Sequence, residues 1–176
     1  MKEFNTAGPC NSVKHYMIDA ATRLHGVEQL IDGEKYFVIH AARQSGKTTY
    51  LKDLTRRLNA GGNYYALYCS LENAQGVIEP EKGIPAIISC LRGNFSTADI
   101  PQGDKFAQAA DLTDYISVLK SSLTRFCKLL DKPLVVLFDE ADCLSEGTLI
   151  SFLRQLRDGY NNRPEVPFVH SVALVG

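Results

Sequence analysis

The sequence predicts an α/β protein with a mainly parallel sheet covered by helices on both faces. Three observations carry this. Four short apolar runs, at 36–40, 64–71, 134–138 and 168–175, alternate with stretches of helical apolar spacing, the pattern of strands joined by crossover helices. The first run breaks into small and polar residues and reaches Gly46-Lys47-Thr48 where a helical pattern begins. The third run, wholly apolar, ends in two acids, Asp139-Glu140.

Taken in order, residues 1–15 read as an irregular lead-in with a turn at Gly8-Pro9. Ile18, Ala21, Leu24, Val27, Leu30 and Ile31 space a helix over 18–32, closed by Asp32-Gly33. The chain thus divides into a lead-in and helix, 1–34, and a core, 35–176. Tyr36 to His40, β-branched and aromatic, predicts a buried strand. From Lys47 to Asn59, Tyr50, Leu51, Leu54 and Leu58 share one helical face, and Lys52, Asp53, Arg56 and Arg57 share the other. Gly61-Gly62 ends that helix. Tyr64 to Leu71 is the second strand, with Cys69 in its core.

Residues 72–110 resist reading, because Gly, Pro and polar residues interrupt apolar pieces such as Ile84 to Leu91. Leu112, Ile116, Leu119, Leu123, Phe126 and Leu130 predict a helix over 112–130. Leu134 to Phe138 is a strand covered on both faces. Ser145 is placed to cap a helix running to about Tyr160, with Leu149, Phe152, Leu153 and Leu156 inward. Arg154, Arg157 and Arg163 flank it as a solvated face. Phe168 to Val175 is the fourth strand. Gly176 follows it directly, so the expectation is a sheet incomplete at its C-terminal end, within a longer protein.

Composition is that of an ordinary globular chain of 176 residues, 45% hydrophobic and 22% charged. A net charge of −1 makes no global electrostatic case for nucleic acid or an acidic membrane surface. No apolar run approaches the ~18 residues of a spanning helix, and MKEFNTAGPC lacks the apolar centre of a signal peptide. Cys10, Cys69, Cys90, Cys127 and Cys143 are scattered, which predicts reduced thiols and a cytoplasmic location; the Asn94-Phe95-Ser96 sequon would then go unused. His15, His25, His40 and His170 lack metal-ligand spacing, and His40 reads as a packed, hydrogen-bonded strand end.

Residues 41–48 read Ala-Ala-Arg-Gln-Ser-Gly-Lys-Thr, the spacing of a phosphate-binding (Walker A) loop with Ala41 in place of its first glycine. Such a loop and the helix behind it aim backbone N–H groups at one anion. Ala42, Arg43, Gln44, Ser45, Gly46, Lys47, Thr48 and Thr49 are the candidate phosphate-binding residues. Lys47 brings a point charge to the terminal phosphates, and Thr48 a hydroxyl for Mg²⁺. Alanine at 41 is tolerated at negative φ, whereas a side chain at Gly46 would crowd the phosphates. The bland alternative is a helix start with an N-terminal glycine and a surface lysine.

LVVLFDEADCL, residues 134–144, supplies the acidic (Walker B) half. Asp139 is the candidate to hold the magnesium through water, and Glu140 to orient and deprotonate an attacking water. A plain strand end with a solvated acidic turn is the competing reading.

With both motifs placed, the chain resembles AAA-type P-loop ATPases of the additional-strand group. More closely, it is similar to prokaryotic AAA-like ATPases related to the STAND and archaeal initiator clade. The likeness runs through FNTAGPC and HYMIDAATRL, through YFVIHAARQSGKTT, and through LFDEADCLSEGTLISFLRQLRDGYNNRP to VHSVALVG. It implies a three-layer α/β/α P-loop fold of sheet order 5-1-4-3-2, with ATP and Mg²⁺ as cofactors and hydrolysis to ADP and phosphate coupled to a conformational or assembly change. It places Tyr16, Met17 and Ile18 at the adenine, with Arg23 nearby, although core packing also accounts for Tyr16 and Met17. It puts a polar sensor, an arginine finger and contacts to a partner protein or further copies beyond Gly176. Two other readings stay open: a nucleotide-gated switch with little turnover, and the first domain of a DEAD-type RNA helicase. The latter shares Asp139-Glu140-Ala141-Asp142, but 55–130 lacks the helicase motifs expected between the two sites.

Overall fold

The computed structural model describes residues 26–40, 45–108 and 110–176. Of the helix expected over 18–32, residues 18–25 lie outside the described residues; helix α1 spans only Val27–Asp32, because Gly26, in the left-handed region at φ 90°, is its N-cap rather than part of it. Tyr16, Met17, Ile18 and Arg23 lie outside the described residues. There follow β1 (Tyr36–Ile39), α2 (Lys47–Gly61), β2 (Tyr65–Ser70), α3 (Pro80–Thr97), α4 (Val118–Cys127), β3 (Leu134–Asp139), α5 (Glu146–Asn161) and β4 (Ser171–Val175).

These strands form one sheet in the order β1-β4-β3-β2, with every neighbouring pair parallel. That is the 1-4-3-2 portion of the expected order. Parallel neighbours need crossovers, and the helices that supply them cover both faces. On one face α1 and α2 bury Ile31, Leu51 and Leu54 against Ile39, Ala66, Val135, Leu137 and Val175. On the other, α3, α4 and α5 bury Ile87, Leu123 and Phe152 against Leu67, Cys69, Val136 and Phe138. Strand β3, apolar until its last residue, is buried throughout.

The edge strands depart from expectation. β1 is only half buried: Val38 is 69% exposed, and the strand ends at Ile39 with His40 exposed rather than packed. Its place at the sheet edge is the reason, since a short apolar run does not say which strand has neighbours on both sides. At the opposite edge, Asn59 of α2 stands in for a missing strand. Its Nδ2 donates to the Ala66 carbonyl at 2.9 Å, and its Oδ1 accepts the Ala66 N–H at 2.8 Å. This pins the C-terminal half of α2 to β2.

Helix α3 went unread because Gly83 and Pro85 interrupt it. Ile84, Ile87, Ile88, Leu91 and Phe95 nevertheless bury one helical stripe. Pro80 at the first turn sits where its missing N–H has no helical acceptor to lose. Gly83 is there for contact: a Cβ would lie 2.1 Å from Thr148 Oγ1 on α5, and that hydroxyl donates to the Val77 carbonyl at 2.7 Å. Phe95 and Phe126 pack with tilted rings, centroids 4.5 Å apart, as do Phe95 and Phe106. Each such pair contributes roughly 0.5–1.5 kcal/mol beyond its buried area.

The helix expected over 112–130 is shorter. Leu112 and Ile116 are 44% and 70% exposed, and α4 begins only at Val118. Local bonds compete for the backbone ahead of it: Asp111 Oδ1 accepts the Thr113 N–H at 3.0 Å, and the Asp114 side chain accepts from the Ser117 hydroxyl. The start of α4 is set by Gln155 of α5, whose Oε1 accepts the N–H groups of Leu119 and Lys120 at 2.9 and 3.2 Å. On α5 itself, Leu153 is 39% exposed while Gln155 is buried. The inward stripe therefore includes a polar residue with partners. Ser145 holds the N-cap backbone position without a side-chain capping bond. Arg163 is not a solvated residue. Its guanidinium lies 4.2 Å from the Tyr160 ring centroid, and its nitrogens donate to the carbonyls of His170 and Glu34.

Candidate functional site

The site lies at the carboxyl ends of the parallel strands, where sheets of this kind leave a crevice. Residues 41–44, and with them the expected tolerance of alanine at 41 and the predicted contributions of Ala42, Arg43 and Gln44, lie outside the described residues. Ser45 is exposed, and Gly46 caps α2 in the left-handed region at φ 86°, ψ 16°. Among the described residues, no atom would lie within 4 Å of a Cβ there. Within the protein, the need for glycine at 46 is therefore conformational, since L side chains rarely take this φ. Lys47, Thr48 and Thr49 form the first turn of α2, all half-buried. The first-turn N–H groups of a helix have no acceptor within it, and its N-terminal end favours an anion.

Asp139, the last residue of β3, is 2% exposed. Its Oδ2 accepts two hydroxyls, from Thr48 Oγ1 at 2.6 Å and from Tyr68 Oη at 3.0 Å. Its Oδ1 accepts the N–H of Glu140 at 3.1 Å. The first of these bonds joins the two motifs that sequence spacing singled out, across 91 positions of chain. Burial, and secondarily the Asp139 charge, push the Tyr68 phenol above its ordinary range, so at neutral pH it is a donor.

Glu140 has left-handed backbone, φ 58° and ψ 36°. For a residue other than glycine that costs on the order of 1–2 kcal/mol, the kind of outlier that collects at working sites. The turn carries its side chain to Ser70, whose Oγ donates to Glu140 Oε2 at 2.8 Å. Ser70 is the register partner of Asp139 in the β2–β3 pair, so strand pairing alone brings Ser70 to the acidic turn. Lys52, one helical turn beyond Thr48, holds its ammonium 5.1 Å from the Tyr68 ring centroid.

Ser45, Gly46, Lys47, Thr48, Thr49, Asp139 and Glu140 are thus among the described residues, with Thr48 and Asp139 in direct contact. Tyr68 and Ser70 went unremarked in the sequence. Their alternation at the end of an apolar run was visible, but only the sheet order shows that this run lies beside the acidic strand. Among the described residues, no three His, Cys, Asp or Glu side chains gather to hold a metal ion. One carboxylate and one hydroxyl, both hard oxygen donors, instead suit Mg²⁺, which keeps several waters and takes its remaining ligands from substrate phosphates.

No protein-family model and no curated protein matches the chain. Among solved structures, it is similar to a chain in the structure of Drosophila ORC bound to poly(dA/dT) DNA and Cdc6, with TM-score 0.54 and 14% identity over 89% of this chain. The match spans 24% of that chain. At this identity the likeness is one of fold. That fold is a three-layer α/β/α architecture of the P-loop NTPase type with a mainly parallel sheet.

Proposed function

We propose that this chain is a Mg²⁺-dependent ATP-binding domain of the AAA-like class that hydrolyses ATP to drive a conformational or assembly change. The observation that carries this reading is the 2.6 Å bond from Thr48 to Asp139. It sets the hydroxyl that follows the Gly-Lys pair against a buried acid at the end of a neighbouring strand.

In this reading the loop through Ser45, Gly46 and the first turn of α2, together with Ala42, Arg43 and Gln44, takes the phosphates. The Lys47 ammonium adds charge toward the outermost one. Thr48 and Asp139 would hold Mg²⁺, which when bound neutralises phosphate charge. Glu140, oriented by Ser70, accepts the proton of the attacking water. Tyr16 is proposed at the adenine. The presence of Glu140 favours hydrolysis over a passive switch, because a switch has no use for a base. The missing helicase motifs weigh against an RNA helicase. ATP and ADP are the proposed ligands. Partner proteins, further copies of this chain or nucleic acid are proposed as binding partners, and a cytoplasmic location remains part of the proposal.

Single-turnover hydrolysis of ATP by the full chain tests the mechanism. Glu140→Gln is expected to lower the rate at least 100-fold, the lower end of general-base contributions, while MgATP still binds. An unchanged rate removes Glu140 from the mechanism.

A further inference from the structure

The contacts around Asp139 close into a ring. Thr48 and Lys52 stand one turn apart on α2, Thr48 donates to Asp139 Oδ2, Tyr68 of β2 donates to the same oxygen, and Lys52 returns over the Tyr68 ring. A carboxylate oxygen has two lone pairs, and both on Oδ2 are engaged by hydroxyls. Thr48 uses its hydrogen here, leaving its oxygen for a cation. Tyr68 lies on the neighbouring strand β2, and its phenol occupies an acceptor position on the carboxylate that the site would use.

The consequence concerns which cation fits. Ca²⁺ seeks direct, often bidentate carboxylate ligation and accepts irregular geometry. Mg²⁺ dehydrates reluctantly and is content to meet a carboxylate through a coordinated water. A phenol on Oδ2 hinders the first mode far more than the second. The ammonium of Lys52 on the ring face holds the phenol in place, and its charge also works against a second cation close by.

Resting on the MgATP reading of this site, we propose that Tyr68, clamped by Lys52, is a specificity-determining residue that biases the site toward Mg²⁺ over Ca²⁺ by occupying Asp139 Oδ2. Phenylalanine at 68 retains the ring and the Lys52 contact and removes only the hydroxyl.

The test is calorimetric titration of the full chain with ATP at graded Mg²⁺ or Ca²⁺, giving a midpoint for each cation. Wild type is expected to take ATP at lower Mg²⁺ than Ca²⁺. Tyr68→Phe is expected to shrink the ratio of the two midpoints about fivefold or more, chiefly by tightening Ca²⁺. A merely structural role would weaken both cations together and leave the ratio alone, so a ratio within twofold of wild type overturns the proposal. If Tyr68→Phe does not fold, Lys52→Met, at an exposed position, carries the test: a ratio shifted the same way supports the clamp, and an unchanged one overturns it. Wild type that takes up no ATP with either cation would instead overturn the MgATP reading itself.

Discussion

At the scale of single residues, the site depends on a few polar contacts whose loss has distinguishable effects. The Ser70 hydroxyl donates to Glu140 and accepts the Glu72 N–H, whereas the Asp139 carboxylate takes the hydroxyls of Thr48 and Tyr68. Ser70→Ala is therefore expected to slow single-turnover hydrolysis about tenfold, since a hydrogen bond to a charged group is worth roughly 1.5–3 kcal/mol, while calorimetric MgATP affinity stays within about twofold. Equal losses in both would show that Ser70 shapes the whole pocket rather than orienting one acid. The residues legible from sequence were those with a fixed spacing to a motif: Gly46, Lys47 and Thr48 on one side, Asp139 and Glu140 on the other. Tyr68 and Ser70 were not legible. Their role comes from the pairing of β2 with β3, a long-range fact with no local trace in residues 65–70. At Gly46 the backbone φ of 86° favours glycine in its own right, beside the expected crowding of a ligand.

At the scale of elements, strands were easier to read than helices. A continuous apolar run such as Leu134–Phe138 has one good explanation once flanked by turns, and the four strands stand within about three residues of their predicted ends. Helices α3 and α4 failed in opposite directions. Gly83 and Pro85 hid α3, because a glycine chosen for close packing against Thr148 looks like a glycine chosen for a turn. Leu112 and Ile116 lengthened α4 on paper, because apolar spacing does not register the bonds of Asp111 and Asp114 that hold the chain out of the helix. Each error has a stability counterpart. Gly83→Val would force side-chain atoms into Thr148, and overpacking of this sort costs about 1–3 kcal/mol; a lowered urea midpoint with unchanged slope is the expected result. A midpoint equal to wild type would mean that α3 and α5 separate easily there.

At the scale of the whole molecule, α2 joins the site to the scaffold. Its first turn meets Asp139, and Asn59 near its far end is bonded to Ala66 on the edge strand. A ligand held at its N-terminus is thus held against β2 and β3 together. Ion pairs contribute little to this frame: Arg56–Asp53, Lys82–Glu79 and the contact of Arg57 with Glu28 are exposed, where solvent and salt screen them. Folded-state binding of MgATP should therefore dominate any change in stability, about 2.7 kcal/mol at a ligand concentration 100 times Kd. The measurement that bears most directly on the account is calorimetric titration of the full chain with MgATP, beside Thr48→Ala and Asp139→Asn. One-site uptake by wild type, lost with EDTA and weakened at least tenfold in both variants, is the predicted result; no uptake by wild type, or variants that bind as wild type does, would contradict it.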